Sequence, residues 1–272
     1  MPIFSVNMFW ITIAPSYYWL MYGLGFIGGY LIIKKRWLLS EALLDNLTLY
    51  IFFGVIFWGR FGYVIFYNLP FYLQNPGEIL KFWHWWMSFF GGAIWVILAM
   101  IIFAINNKEK LNNRFLPSQE WQGGQEWQGF ANFYDIADNV VTILPIWLGL
   151  WRVWNYLNKE LLWFEYSGFL AVYKNWIWYF PSPLLEALLE WLVLYFILSF
   201  LFKRRKYLGQ IWWGFLFFYG IFRFLIEFVR TPDVQIWYIF WWITIAQIMS
   251  IPMILIWLYF WLFFKKYPAN AK

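Results

Sequence analysis

Seven apolar stretches, each about as long as a bilayer is thick, restrict the folds open to this chain. A helix needs about 20 apolar residues to cross the hydrocarbon core. Hydrophobic residues make up 63% of the chain and charged residues 12%, which is too few charges for the surface of a soluble domain of 272 residues. The sequence therefore predicts an all-α integral membrane protein with about seven transmembrane helices. The predicted spans cover residues 17–33, 46–67, 86–105, 132–150, 184–202, 211–229 and 238–264.

The positions of the basic residues predict the orientation of these spans. Thirteen of the 20 lysines and arginines fall in loops 34–45, 106–131 and 203–210 and in the C-terminal tail. Basic residues concentrate in cytoplasmic loops, so the pattern predicts an N-out, C-in topology. The net charge of +6 is then explained by cytoplasmic loops and by contact with anionic membrane lipids. We therefore expect no nucleic-acid partner.

The loops predict a simple domain organisation. The spans show no internal repeat, so residues 1–272 are predicted to form a single polytopic membrane domain. The Gln- and Gly-rich segment 107–130 cannot bury much apolar surface, which predicts a disordered cytoplasmic loop. Segment 151–183 is rich in aromatic residues, which predicts a small cap on the outer side.

Polar and charged residues gather at the outer ends of several predicted spans. The chain has no cysteine, so neither a disulfide framework nor a thiol nucleophile of its own is available. One explanation is that these residues pair with one another and hold the helices together. Another is that three or four of the arginines converge with fewer acids, which leaves positive charge to bind an anion such as a phospholipid head group. The residues are Arg60, Arg152, Asn155, Asn158, Glu160, Glu186, Glu190, Arg223, Glu227 and Arg230.

At these residues the sequence resembles the bacterial prolipoprotein diacylglyceryl transferases. That family usually carries the signature G-R-x-G-N-x-x-N-x-E, and residues 151–160 read W-R-V-W-N-Y-L-N-K-E. Further stretches follow in the family's order along most of the chain. They are SYYWLMYGLGFIGGY (16–30), GRFGYVIFYNLP (59–70), MSFFGG (87–92), PSPLLEALLE (181–190), YGIFRFLIEFVRTPD (219–233) and AQIMSIPMILI (246–256).

The resemblance implies a reaction, its substrates and a set of site residues. Such enzymes move the diacylglyceryl group of phosphatidylglycerol to the lipobox cysteine thiol of a preprolipoprotein signal peptide, forming a thioether and releasing glycerol phosphate. They do so at the bacterial cytoplasmic membrane, and we expect no cofactor or metal. The implied catalytic residues are Arg152, Arg223, Glu160 and Tyr18. The implied substrate-binding residues are Arg60, Asn155, Asn158, Glu186, Glu227 and Arg230.

One departure from the family pattern leaves other functions open. The family commonly has histidine where Phe90 stands, and phenylalanine cannot transfer a proton. His84, the only histidine, is expected to be a polar anchor at the membrane interface, so the general base is not assigned. The alternatives are an anion or lipid transporter or channel, and a non-catalytic lipid-binding protein of the same fold.

Tryptophan stands at positions where the family typically has glycine. These positions include Trp58, Trp151, Trp154 and Trp163, and the chain has 24 tryptophans in all. Some bacteria read the codon UGA as glycine, whereas another code reads it as tryptophan. We hypothesise that many of these tryptophans are glycines in the native protein, so that residues 147–160 would read GLGLGRVGNYLNKE. Real enrichment of tryptophan for anchoring at the membrane interface is the alternative.

This hypothesis makes a prediction about the gene. Trp58, Trp151, Trp154 and Trp163 are expected to be encoded by UGA, and most tryptophans outside the glycine positions by UGG. Sequencing the gene measures this directly. UGG at all four positions would rule out the recoding.

Overall fold

The computed structural model describes residues 6–8, 11–13, 17–36, 40–67, 69–79, 89–115, 124–162, 164–229 and 243–263. Most of them are helical. In chain order the α-helices are α1 (Tyr17–Arg36), α2 (Glu41–Tyr67), α3 (Leu69–Gln74), α4 (Phe89–Asn106), α5 (Lys108–Phe115), α6 (Gly124–Val141), α7 (Leu144–Leu157), α8 (Ser182–Glu186), α9 (Leu194–Lys203), α10 (Gln210–Ile226) and α11 (Ile245–Phe263). A π-helical segment, Ala187–Val193, joins α8 to α9, and two short 3₁₀ turns lie at Pro76–Glu78 and Glu227–Val229. The strands are β1 (Val6–Met8), β2 (Ile11–Ile13), β3 (Val172–Lys174) and β4 (Ile177–Tyr179).

The long apolar helices confirm a helical membrane protein. Within the described residues, four segments are long and apolar enough to cross a membrane: Glu41–Ile65, Ala131–Leu157, Ser182–Lys203 and Gln210–Val229. Helix α1 and two shorter apolar helices, Ile94–Asn106 and Ala246–Phe260, coincide with the other three predicted spans. The total of seven spans and their orientation stay predictions.

The fourth span is longer than the sequence pattern predicts, and it contains a break. Helix α6 ends at Val141 and α7 begins at Leu144, with Pro145 in the first turn of α7. Proline fits this turn because the amide it lacks would have no helical partner there. Helix α7 then continues to Leu157, so Arg152 and Asn155 lie within a helix rather than in the cap loop predicted from residue 151 onward.

Two helical parts replace disorder within segment 107–130. Helix α5 lies at its start and the first turns of α6 lie at its end, while residues 116–123 are outside the described residues. In α5 the side chain of Leu111 is buried, with 1% of its surface exposed. The Gln and Gly content of the segment did not predict the burial of this leucine.

The chain divides into two compact units. The first comprises Met1–Val6, Ala14–Ile32 and Ala137–Ala269, and the second comprises Asn7–Ile13, Ile33–Ile136 and Asn270–Lys272. Helices α1 and α6 therefore contribute residues to both units, and the prediction of a single domain is not tested by this division.

The first unit has an apolar core built from α6, α7, α9 and α10. Its fully or nearly buried members are Val141, Leu148, Leu194, Leu198, Ile211 and Phe215. Helix α10 also packs closely on α11: a Cβ atom on Gly220 would lie 3.3 Å from the carbonyl oxygen of Ser250. Small residues allow such close approach between helices in a membrane.

In the second unit, α2 and α4 meet through a glycine and a tryptophan. A Cβ atom on Gly54 would lie 1.0 Å from Nε1 of Trp95, so a side chain cannot replace glycine there. The Trp95 indole donates a hydrogen bond to the Tyr50 carbonyl at 3.1 Å and stacks on Trp58 at 5.5 Å between ring centroids. Trp58 is one of the tryptophans that the recoding hypothesis replaces with glycine, and Trp95 is a further candidate. A glycine at residue 95 would give the small-to-small contact common between membrane helices.

The cap contains a β-hairpin with an unusual turn. Strands β3 and β4 are antiparallel, with Lys174 opposite Ile177, which leaves Asn175 and Trp176 as the turn. Both turn residues have positive φ angles, 51° and 68°. Two-residue hairpin turns of this kind strongly favour the sequence Asn-Gly. Trp176, whose side chain is 90% exposed, therefore occupies a backbone conformation suited to glycine.

The hairpin turn predicts a stabilising substitution. Trp176→Gly is expected to raise the free energy of unfolding by about 1 kcal/mol, because a non-glycine residue in the left-handed region costs about 1–2 kcal/mol. Denaturant unfolding of the cap, followed by fluorescence in detergent, measures the change. Asn175→Gly is the matched control and should gain less, because asparagine tolerates positive φ. Equal gains from the two substitutions would contradict the explanation.

Candidate functional site

Helix α7 approaches the π-helical segment closely one turn before Arg152. A Cβ atom on Gly149 would lie 2.2 Å from Cγ of Trp191, so only glycine allows this crossing. Arg152 follows Gly149 by three residues and lies on the same face of the helix. The close approach therefore brings the Arg152 side chain within reach of the glutamates around the π-helical segment.

Two arginines from different helices converge on one glutamate. Nε of Arg152 lies 2.8 Å from Oε2 of Glu186, and Nη1 of Arg223, on α10, lies 3.7 Å from the same oxygen. Glu190 lies between the same two arginines. It accepts a hydrogen bond from Nε of Arg152 at 3.2 Å, and its other oxygen is 3.9 Å from Nη1 of Arg223. Glu227, one turn after Arg223, completes the cluster at 3.3 Å from Nη2 of Arg223.

The charges of this cluster differ from the excess of arginine that the sequence suggested. Both arginine side chains are nearly buried, at 14% and 13% exposed, and the Glu186 and Glu190 side chains are fully buried. Within the described residues, three carboxylates therefore face two guanidinium groups. A buried guanidinium without counter-charges would be very unfavourable, which accounts for the additional carboxylates.

Arg223 is held less tightly than Arg152. Nη1 of Arg223 and Oε1 of Glu190 are both buried and make no hydrogen bond with the described residues, because the 3.9 Å between them is too long for one. Arg152, in contrast, has two carboxylate oxygens within 3.2 Å of its Nε. Both arginines thus converge on Glu186, and Arg223 is the freer of the two to move.

A second polar group forms at the C-terminal end of α7. Nδ2 of Asn155 donates to one oxygen of Glu160 at 2.9 Å, and Nδ2 of Asn158 donates to the other at 3.3 Å. The backbone amide of Glu160 donates to the carbonyl of Asn155 at 2.9 Å. Lys159 and Leu161, on either side of Glu160, have φ angles of 56° and 55°, so the chain turns sharply here. This turn directs the Glu160 carboxylate back to the end of α7.

Comparison with known proteins assigns the chain to a family. A family model described as prolipoprotein diacylglyceryl transferase matches residues 6–117 and 123–263. This chain belongs to the prolipoprotein diacylglyceryl transferase family. The phosphatidylglycerol–prolipoprotein diacylglyceryl transferase of Francisella tularensis subsp. holarctica (strain LVS) is 37% identical over 263 residues, which cover 90% of this chain and 87% of the relative. The protein of the same name from Francisella tularensis subsp. novicida (strain U112) is 37% identical over 257 residues, with the same coverage of both chains.

The structure brings most of the residues predicted from the family signature into two groups. The arginine–glutamate cluster contains Arg152, Arg223, Glu186 and Glu227, and the group at the end of α7 contains Asn155, Asn158 and Glu160. Glu160, predicted to be catalytic, has the two asparagine amides as its hydrogen-bond donors.

The remaining predicted site residues are not placed in either group. Arg60 belongs to the second unit, where it donates hydrogen bonds to the carbonyl oxygens of Glu78 at 2.7 Å and Ile79 at 3.3 Å. Its side chain is 1% exposed and also lies over the ring of Tyr72. For Tyr18 the structure describes only the helical backbone, as it does for Phe90, and Arg230 and His84 lie outside the described residues.

Two residues of the cluster were not among the predicted site residues of this transferase. Glu190 follows Glu186 by four residues and so shares its face of the helix, a spacing that the sequence displays. Tyr219 lies one turn before Arg223 on α10 and is close enough to interact electrostatically with both arginines. An aromatic-rich sequence gives no sign that this tyrosine differs from its neighbours.

Proposed function

We propose that this chain transfers the diacylglyceryl group of phosphatidylglycerol to the lipobox cysteine thiol of preprolipoproteins. In this reaction a sulfur–carbon bond forms, a carbon–oxygen bond to the phosphate breaks, and glycerol phosphate leaves. The observation that carries the proposal is the convergence of Arg152 and Arg223 on Glu186 in a chain of the transferase family.

The two arginines suit the phosphate of the lipid substrate. Nε of Arg152 is the nitrogen directed at Glu186 and Glu190, which leaves its terminal amino groups to fork onto a phosphate. Arg223 is the more weakly held of the two and can turn from Glu190 toward an incoming anion. As the carbon–oxygen bond breaks, negative charge builds up on the phosphate, and two guanidinium groups at that position would stabilise it.

The glutamates have a positioning role in this proposal. Glu186 and Glu190 hold Arg152 from the π-helical segment, and Glu227 holds Arg223 from the next turn of its own helix. The group of Asn155, Asn158 and Glu160 presents hydrogen-bonding atoms one turn beyond Arg152 on α7. These atoms are suited to the hydroxyl groups of the phosphatidylglycerol head group. Phe90 cannot accept the proton that the thiol loses.

The same proposal extends to location and topology. A lipid substrate and a membrane-anchored signal peptide place the enzyme in the bacterial cytoplasmic membrane, with phosphatidylglycerol and membrane lipids around it. The distribution of basic residues supports seven spans with the N-terminus outside and the C-terminus inside. The arginine–glutamate cluster would then lie toward the outer side.

Topology is open to a direct test. Reporter fusions that end after Arg36 and after Arg205 are both expected to report a cytoplasmic location, because each follows a run of basic residues. Paired reporters active only in the cytoplasm or only in the periplasm make the measurement. A periplasmic signal at either position would overturn the proposed orientation.

The phosphate-binding role predicts a strong effect of a conservative substitution. Arg152→Lys and Arg223→Lys keep the positive charge but lose the planar fork, so transfer activity is expected to fall by roughly 100-fold, as for the loss of one transition-state donor. The assay is complementation of a strain depleted of its own transferase. Transfer of radiolabelled glycerol from phosphatidylglycerol to a lipobox peptide gives the rate. The gene is expressed with its UGA codons read as glycine and, in parallel, as tryptophan.

Arg204→Lys is the matched control, because Arg204 is exposed and stacks on Phe200 without contacting the cluster. Full rescue by both cluster variants would remove the phosphate-binding role. A parent chain that inserts in the membrane but fails to rescue would count against the transferase, and in favour of a transporter or of a lipid-binding protein without catalysis.

A further inference from the structure

A buried carboxylate caps helix α10 from a different helix. Asp138, in the last turns of α6, is fully buried. Its Oδ1 accepts hydrogen bonds from the backbone amides of Ile211 at 3.0 Å and Trp212 at 2.8 Å. Its Oδ2 accepts from the Gly209 amide at 2.9 Å and from Nη1 of Arg205 at 3.2 Å. One side chain thus accepts hydrogen bonds from three backbone amides at the start of α10 and from one nearby guanidinium.

The start of α10 depends on this carboxylate. The helix begins after Gly209, whose φ of 80° is accessible mainly to glycine, and no side chain at the N-cap bonds to the first turn. The first amides of a helix have no helical acceptor and must be satisfied by other groups. A carboxylate at this end is also favoured by the helix dipole. Asp138 supplies both interactions.

The number of residues along the helices relates this cap to the arginine–glutamate cluster. Arg152 follows Asp138 by fourteen residues along α6 and α7, and Arg223 follows Gly209 by fourteen residues along α10. Along the continuous helix α10, fourteen residues at 1.5 Å each span about 20 Å. The path along α6 and α7 has the same number of residues and includes the break between Val141 and Leu144. Both paths start at the bonds of Asp138 and end at Oε2 of Glu186.

Apolar packing is not the only constraint on the axial position of α10. The core around α10 includes Ile211, Phe215, Leu194 and Leu198, and hydrophobic contact is not directional. A shift of one residue would move Arg223 by about 1.5 Å along the axis and turn it by about 100°. The hydrogen bonds to Asp138 are directional and oppose such a shift.

We propose that Asp138 is a positioning residue for the transferase reaction: by capping α10 it sets the level and rotation at which Arg223 meets Arg152. This inference rests on the proposed function. Asp138 acts through α10 and contacts neither substrate. Its loss therefore changes the position of Arg223 relative to Arg152 and so the geometry with which the two arginines bind the phosphate. The ion pair with Arg205 is secondary, because the donors at the start of α10 are the three backbone amides and Nη1 of Arg205 shares Oδ2 with the Gly209 amide.

The kinetic test uses the purified full-length chain in lipid nanodiscs that contain phosphatidylglycerol. Asp138→Ala is expected to lower kcat/KM for phosphatidylglycerol by roughly 100-fold, the scale of a 1 Å misplacement. The KM for the lipobox peptide should stay unchanged. Asp138→Glu keeps the charge but moves the carboxylate by one methylene, so it should also be impaired. Asp138→Asn keeps one acceptor oxygen and should fall between the parent and Asp138→Ala.

Arg205→Gln is the matched control and should stay close to the parent. Impairment by Arg205→Gln as severe as by Asp138→Ala would overturn the capping role and assign the effect to the ion pair. Recovery of the parent activity in Asp138→Glu would also overturn the capping role and assign the effect to the ion pair. A loss of rate with an unchanged KM for phosphatidylglycerol, in proportion to the loss of folded protein, would reduce Asp138 to a stabilising residue.

A second measurement follows disulfide formation between introduced cysteines and does not depend on catalysis. The chain has no cysteine of its own, so each disulfide reports on one introduced pair. One pair, Leu201→Cys with Gly214→Cys, joins α9 to α10, where a Cβ atom on Gly214 would lie 3.5 Å from Cδ1 of Leu201. The other, Gly220→Cys with Met253→Cys, joins α10 to α11. A Cβ atom on Gly220 would lie 3.4 Å from Cβ of Met253, which is close to the Cβ–Cβ distance in disulfides.

The expected result of Asp138→Ala is several-fold less disulfide between residues 201 and 214 and an unchanged yield between residues 220 and 253. That outcome means that α10 moves against α9 while it stays packed on α11. Equal losses at both pairs would indicate general destabilisation, and unchanged yields at both would show that α10 has not moved; either overturns the inference. If the parent lacks transferase activity but the 201–214 yield still falls, the positioning of α10 by Asp138 stands and the proposed function is what fails.

Discussion

Two guanidinium groups buried among apolar helices can persist only with counter-charges beside them, and this requirement shapes the arrangement of the first unit. Arg152 comes from α7, Arg223 from α10, and Glu186 and Glu190 from the segment between α8 and α9. Removing either arginine would leave buried carboxylates without a counter-charge, which costs about 3–5 kcal/mol in comparable ion pairs. The cluster therefore fixes how three parts of the chain meet, and the same arginines are the groups suited to a phosphate.

The backbone around the cluster is adapted to these contacts. Gly149 allows α7 to touch Trp191, and Gly220 allows α10 to lie against α11. The π-helical segment carries Glu190, in agreement with the frequent occurrence of such segments at functional sites. Asp138 holds the other end of α10 through three hydrogen bonds. Polar bonds at both ends of one helix, with apolar packing between them, give a rigid frame in a membrane, where apolar contact alone specifies position weakly.

The sequence predicted most of the residues that form the two polar groups but not the balance of charge in the arginine–glutamate cluster. Arg152, Asn155, Asn158 and Glu160 follow from the signature, and Arg223 and Glu227 from their spacing on one helix face. The excess of arginine inferred from the sequence is not found in the described cluster, because three glutamates lie beside its two arginines. Arg60 fits the pattern of a site residue equally well, yet it bonds to backbone carbonyls in the second unit. A charged residue near a span end looks the same in sequence whether it binds a ligand or the chain itself.

The sequence by itself determined the class of the protein, the approximate positions of its spans and the family to which it belongs. Apolar length is a local property, because each helix satisfies its own backbone hydrogen bonds in the membrane. Only the tertiary structure decided that Asp138 accepts hydrogen bonds from α10, and that Glu186 and Glu190 lie between two arginines. Partners separated by 33 positions (Glu190 and Arg223) to 74 positions (Asp138 and Trp212) along the chain are chosen by packing in three dimensions, and the pattern of one sequence does not contain that information.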